Sequence, residues 1–195
     1  MNINLLEIEA KLKKKLPEKR FIHTQGVRYT CANLAMKYNY DIDKAQLAGL
    51  LHDCAKYMSD DEMLAKCKKH DIDITIEEQK QPHLLHGKLG AFYAKKKYNV
   101  DDNDIIDAIT YHTTGKPGMS LLGKILFIAD YIEPNRKIIP GLDEIRKYAF
   151  EDIDKAVCTK IINVAEYLLS NGVELKGISK DTYEFYSDYA KTLHL

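Results

Sequence analysis

Apolar residues recur along the chain at steps of three and four, the spacing of a helix buried on one side, and no segment sustains the alternation of a strand. Leu5, Ile8, Leu12 and Leu16 form the first such stripe, ahead of Pro17. His23, Val27, Thr30 and Leu34 form a second; Ala45, Ala48 and His52 form a third, on a helix opening near Asp41 or Asp43. Ser59 and Glu62 have capping-box spacing and begin a short charged helix that ends near His70. Residues 72–81 are polar and irregular and read as a loop. After Pro82 a helix places His86, Gly90 and Tyr93 on one face. Asp101 and Asp104 open the next, whose apolar side carries Ile105, Ala108 and Ile109, with His112 following. Residues 113–120, TTGKPGMS, are the clearest loop, because two glycines and a proline break any helix. Ser120 caps an apolar helix that aligns Leu122, Leu126 and Asp130 and ends at Pro134. Residues 152–169 form an amphipathic helix stopped by Gly172, and residues 183–195 a tyrosine-rich last helix. The expectation is an all-α fold in one domain, 1–195, with helices from about 142 to 195 covering a core at about 20–136.

Composition narrows the partners. Of 195 residues 45% are hydrophobic and 30% charged, and Lys+Arg balance Asp+Glu at a formal net charge of +0. Without a basic field, neither nucleic acid nor an anionic membrane is expected as partner, although a local positive site could still take a small anion. No stretch approaches a bilayer-spanning apolar run, and residues 1–16 lack the uninterrupted apolar core of a signal peptide. Cys31, Cys54, Cys67 and Cys158 form no Cys-x-x-Cys pair and read as buried thiols in a reducing cytoplasm. The tyrosine-rich tail could pack against a second subunit, making a homodimer.

The chemistry lies in what interrupts the apolar faces. His23, His52, His86, His112 and Asp130 all fall where a stripe points inward, and Asp53 directly follows His52. One inward histidine is commonly a hydrogen-bonded core residue, but this many imidazoles and carboxylates together are costly unless each finds a partner. A pair of cations would satisfy the set, and imidazole with carboxylate suits iron, manganese, zinc or cobalt. His83, three residues before His86, is a lower-ranked candidate for the same face; His70 and His194 lie in polar surroundings and read as surface residues.

The ordered set His23, His52-Asp53, His86, His112 and Asp130 resembles the two-metal version of the HD-domain phosphohydrolase superfamily. More closely, RFIHTQGV, AGLLHDCAKY, LLHGKLGA, AITYHTTGKPGMS and ADYIEPNR are similar to the bacterial YqeK family, over roughly residues 20–136. The resemblance implies an HD-domain helical bundle with additional C-terminal helices, acting as a symmetrical bis(5'-nucleosyl)-tetraphosphatase that splits diadenosine tetraphosphate into two ADP. It implies that His23, His52, Asp53 and Asp130 hold one metal and His86 and His112 the other, Asp53 bridging. The ions would be two divalent or mixed-valence transition metals, iron first, and a hydroxide bridging them the nucleophile. Linkage of the family to NAD metabolism finds no Gly-rich dinucleotide fingerprint here.

Around that set, Lys56 stands at i+3 from Asp53 and is assigned to catalysis as a phosphate-stabilising cation. Arg136, after the Pro134 break, suits bidentate phosphate contact. Thr113, Thr114, Gly115 and Lys116, directly after His112, are expected to bind substrate through hydroxyls, closely approaching backbone N–H groups and charge. Other readings keep the metals and change the substrate to a nucleoside monophosphate, a deoxynucleotide or a cyclic nucleotide, or make the domain a non-catalytic nucleotide-binding module. A di-iron oxygenase on the same scaffold lacks any feature pointing to an oxidisable substrate.

Overall fold

Short polar side chains start most of the helices. In the computed structural model, which describes residues 4–194, Asn4, Asp41, Ser59, Thr75, Asp102, Ser120 and Asp152 each accept backbone N–H bonds at a helix start. The described residues form α1 (Leu5–Lys13), α2 (Glu18–Lys37), α3 (Ile42–Leu51), α4 (Asp60–Lys69), α5 (Ile76–Lys80), a 3-10 turn (Pro82–Leu85), α6 (His86–Lys97), α7 (Asn103–Tyr111), α8 (Leu121–Ile132), α9 (Leu142–Glu151), α10 (Ile153–Ser170) and α11 (Gly177–Thr192). No strand occurs among them. Met1–Ile3 and Leu195, assigned from sequence to the first and last segments, lie outside the described residues.

The long α2 packs against α3 and α8; α7 packs between α6 and α8; α10 packs on α8, α9 and α11. Leu12, Leu34, Leu50, Leu122 and Leu126 are fully buried where these faces meet, each worth about 1.5–3 kcal/mol against exposure. Arg28 is buried and ties α1 to α3, donating to Glu9 at 2.7 Å and Gln46 at 3.1 Å. None of the described helices is long and apolar enough to cross a membrane. The four cysteines are free and buried.

Three readings of the elements change. Residues 76–80 are helical rather than loop, because Thr75 and Glu78 close a full capping box that apolar spacing does not register. Asp102, between the two aspartates expected to open α7, is its cap. The last helix begins at Gly177 rather than 183; its buried stripe is only Thr182, Tyr186 and Ala190, a narrow face at steps of four.

Candidate metal centre

Helix ends deliver the site. His23 lies in α2, His52 caps the C-terminus of α3 with Asp53 next, His86 begins α6, His112 caps α7, and Asp130 stands in the last turn of α8. Gly87 permits the approach of α6 to α7: a Cβ there would sit 2.5 Å from the Thr110 carbonyl oxygen. The six side chains expected from sequence to act together are brought together.

Each imidazole is anchored by Nδ1 to an acceptor. His52 donates to the Gly49 carbonyl at 2.7 Å, His112 to Ile109 at 2.7 Å, and His86 to the His83 carbonyl; His23 Nδ1 lies 3.1 Å from Glu133 Oε1. Carbonyls and carboxylates only accept, so every Nδ1 carries its proton and every Nε2 turns into the shared centre. There His23 Nε2 is 3.0 Å from Asp130 Oδ1, and His86 Nε2 is 3.0 Å from His112 Nε2. Asp53 lies across the middle. Its Oδ2 is 3.4 Å from His52 Nε2 and 3.8 Å from His23 Nε2, while Oδ1 is 3.4 Å from His86 Nε2 and 3.7 Å from His112 Nε2.

Donor chemistry can be tested against a metal directly. His52 and Asp53 are buried, and the Nε2 atoms of His23 and His52 have no hydrogen-bond partner despite the nearby carboxylates. Buried polar atoms are normally matched. Burial opposes ionisation of Asp53, yet His52, His112 and His86 outweigh it and hold the carboxyl well below the ordinary range. Asp130 is depressed likewise, burial being outweighed by His23, His52 and Arg136. Arg20 on Asp53 and Arg136 on Asp130 supply part of the compensating charge; the rest falls to protons on the imidazoles or to bound metal cations. His86 is closed to the first route, since burial and His112 push it down to about 3. Two ligands bound at about 2.0–2.2 Å to one first-row ion stand roughly 2.9–3.5 Å apart, the spacing of the closest pairs here. Two groups, His23–His52–Asp130 and His52–Asp53–His112, have donor atoms close enough to share an ion. The residues fit.

Two residues that sequence reasoning passed over complete the centre. Glu133, buried, orients His23, as carboxylates commonly do behind metal-binding histidines. Gly26 makes room for it, since any Cβ there would collide with the Glu133 carboxylate. Arg20 donates to Asp53 Oδ2 at 2.7 Å. Both were findable: Arg20 precedes His23 by three residues on one face of α2, and Glu133 follows Asp130 by three, capping the end of α8.

The other expected residues divide. Lys56 Nζ is half-buried 3.0 Å from His86 Nδ1, at the edge of the centre. Burial lowers its pKa against the pull of Asp53. Thr113 Oγ1 lies 3.1 Å from His86 Nε2 and 3.2 Å from His112 Nε2. Arg136 is turned inward instead of presenting its fork to phosphate: Nε donates to the Asp130 carbonyl and Nη2 to Oδ1, both at 2.8 Å, because the chain after Pro134 folds back. Lys116 is paired with Asp107 at 2.7 Å. The Gly115 N–H, expected to meet an anion, donates to the Tyr111 carbonyl at 2.8 Å in a tight turn. Thr114 donates to the Gly115 carbonyl at 3.0 Å. His83 contributes its carbonyl to His86; its ring is exposed. His70, expected on the surface, is half-buried and stacks on Phe92 at 4.5 Å between ring centres.

Known proteins carry the same architecture. The HD domain family model matches residues 20–135. The symmetrical bis(5'-nucleosyl)-tetraphosphatase of Bacillus subtilis is 38% identical over 95% of this chain and 97% of its own. Its counterpart in Halalkalibacterium halodurans is 39% identical over 88% and 91%. A Clostridium acetobutylicum crystal structure, described as a predicted HD superfamily hydrolase involved in NAD metabolism, superposes with TM-score 0.90 at 39% identity, covering 95% of this chain and 98% of that one.

Proposed function

The chain belongs to the HD-domain family, and from that premise we infer that it is a metal-dependent phosphohydrolase, a symmetrical bis(5'-nucleosyl)-tetraphosphatase that converts diadenosine tetraphosphate to two ADP. The observation that carries the reading is the set of four Nδ1-anchored histidines facing a carboxylate with one oxygen toward each pair. The full-length likeness to named symmetrical tetraphosphatases supports the substrate.

In this reading His23, His52 and Asp130 hold one ion and His86 and His112 the other, with Asp53 between them. When bound, such ions supply positive charge to the transferring phosphoryl group and a water acidic enough to attack near neutral pH. Iron is the first choice, with manganese, zinc or cobalt suited to the same donors. The chain's own groups do the positioning. Glu133 and the carbonyls of residues 49, 83 and 109 fix the imidazoles. Lys56 and Arg20 border the centre with positive charge that steadies the phosphate chain, while Arg136, folded onto Asp130, orients that carboxylate. The Thr113 hydroxyl can donate to a phosphate oxygen beside His112. Symmetrical cleavage is attack by water oxygen on one of the two inner phosphorus atoms; the P–O bond to the other inner phosphate breaks and ADP leaves. ADP is an acidic leaving group, so charge neutralisation outweighs a general acid. The four buried thiols suit the reducing cytoplasm as the place of action.

Product analysis tests this. Metal-loaded protein given diadenosine tetraphosphate should yield ADP as the sole nucleotide product, and AMP, deoxynucleotides and cyclic nucleotides should turn over far more slowly. Formation of AMP with ATP, or faster hydrolysis of a mononucleotide, would overturn it.

A further inference from the structure

Beside the metal centre lies a hollow of about 510 Å³, bounded by the 3-10 turn, residues 113–114, α10 and α11. Ligand pockets commonly enclose about 300–1,000 Å³. Leu84, Phe127, Ile161, Val164 and Leu168 give it apolar walls. Two observations connect it to the chemistry. Thr113 lines it, and the Thr113 hydroxyl is within 3.2 Å of both His86 and His112 Nε2, so hollow and centre share a wall. Lys160 also lines it, buried at 6% exposure, its Nζ 3.2 Å above the Phe127 ring and donating to the Phe127 carbonyl at 2.7 Å. That is the one hydrogen bond its side chain makes among the described residues, and a lysine amine has at least two N–H groups even when neutral. Buried donors are normally matched, so the remainder call for an acceptor from the hollow.

A nucleotide whose phosphates lie at the metal centre needs an adjoining apolar space for its base, and a purine carries ring nitrogens that accept hydrogen bonds. Resting on the phosphohydrolase reading above, we propose that this hollow is a nucleoside site: it takes the base and ribose of one half of the dinucleotide, Lys160 donates to a ring nitrogen of the base, and Thr113 marks the junction with the phosphates. The C-terminal helices thereby contribute to binding, since Lys160, Val164 and Leu168 lie on α10 and Tyr183, another lining residue, on α11.

Calorimetry on the metal-loaded protein separates the two halves of the ligand. Wild type should bind ADP at least tenfold more tightly than pyrophosphate. Val164→Trp, which fills the hollow from a half-buried position, should erase that advantage and leave pyrophosphate binding unchanged. Lys160→Met should weaken ADP several-fold without affecting pyrophosphate. Equal wild-type affinity for ADP and pyrophosphate overturns the proposal with no variant needed. So does wild-type ADP affinity in both variants when melting and metal content match wild type. Failure of the hydrolase reading looks different: wild type then binds neither ligand and turns over no diadenosine tetraphosphate.

Discussion

Glu133 shows what a single residue contributes behind a metal ligand. Its carboxylate is buried, anchors His23 Nδ1, and also accepts from the Asn135 backbone and side-chain amides. Glu133→Ala should leave the helices intact but lower metal affinity about 10–100-fold, as read by competition with a graded chelator; unchanged affinity would make Glu133 a mere turn residue. Lys160 provides a second test at this scale. Burial lowers its pKa from 10.5 to about 7. The unfolded chain therefore binds more protons between those values, and the cost of folding around the ammonium is fully present below about pH 7 and relieved as pH rises toward 10.5. Lys160→Met should accordingly stabilise most at the acid end of that window, its advantage shrinking with rising pH in denaturation curves. His23, His52, His86, His112 and Asp130 were legible as a set, because several polar groups share the inward phase of apolar stripes, and Asp53 by its place directly after His52. Lys160 was not, since one lysine on an amphipathic helix looks like any solvated one until α8 packs over it.

At the scale of elements, the loop after His112 is held from the far end of the chain. Tyr186 Oη accepts the Met119 N–H at 3.1 Å, and Thr182 packs on Gly115. Gly115 is left-handed at φ +66, and a Cβ there would stand 2.9 Å from the Thr182 methyl. Gly115→Ala should cost about 1–2 kcal/mol from the backbone alone, visible in chemical denaturation; a neutral result would mean the loop is not so held. The loop was legible as a loop. Its dependence on α11 was not, because a contact spanning 67 residues leaves no local spacing. Helix period revealed the framework, while α5, which buries no residue of its own, gave that signal nothing to register.

Across the whole molecule, a chain of zero formal net charge gathers Asp53, Asp130 and Glu133 at one point and borders them with Arg20, Lys56 and Arg136. Local arrangement carries the function, and net charge conceals it. Dialysis against a chelator should abolish hydrolysis, and adding back iron or manganese should restore it; turnover surviving complete metal removal would rule out the metal reading. The most direct measurement is elemental analysis of the purified, metal-loaded protein beside Asp53→Asn. The account predicts two transition-metal ions per wild-type chain, one held by His23, His52 and Asp130 and the other by His86 and His112, and a marked loss in the variant, which lacks the carboxylate between them. A wild-type chain that hydrolyses diadenosine tetraphosphate while holding no ion, or an Asp53→Asn chain that keeps both, would contradict it.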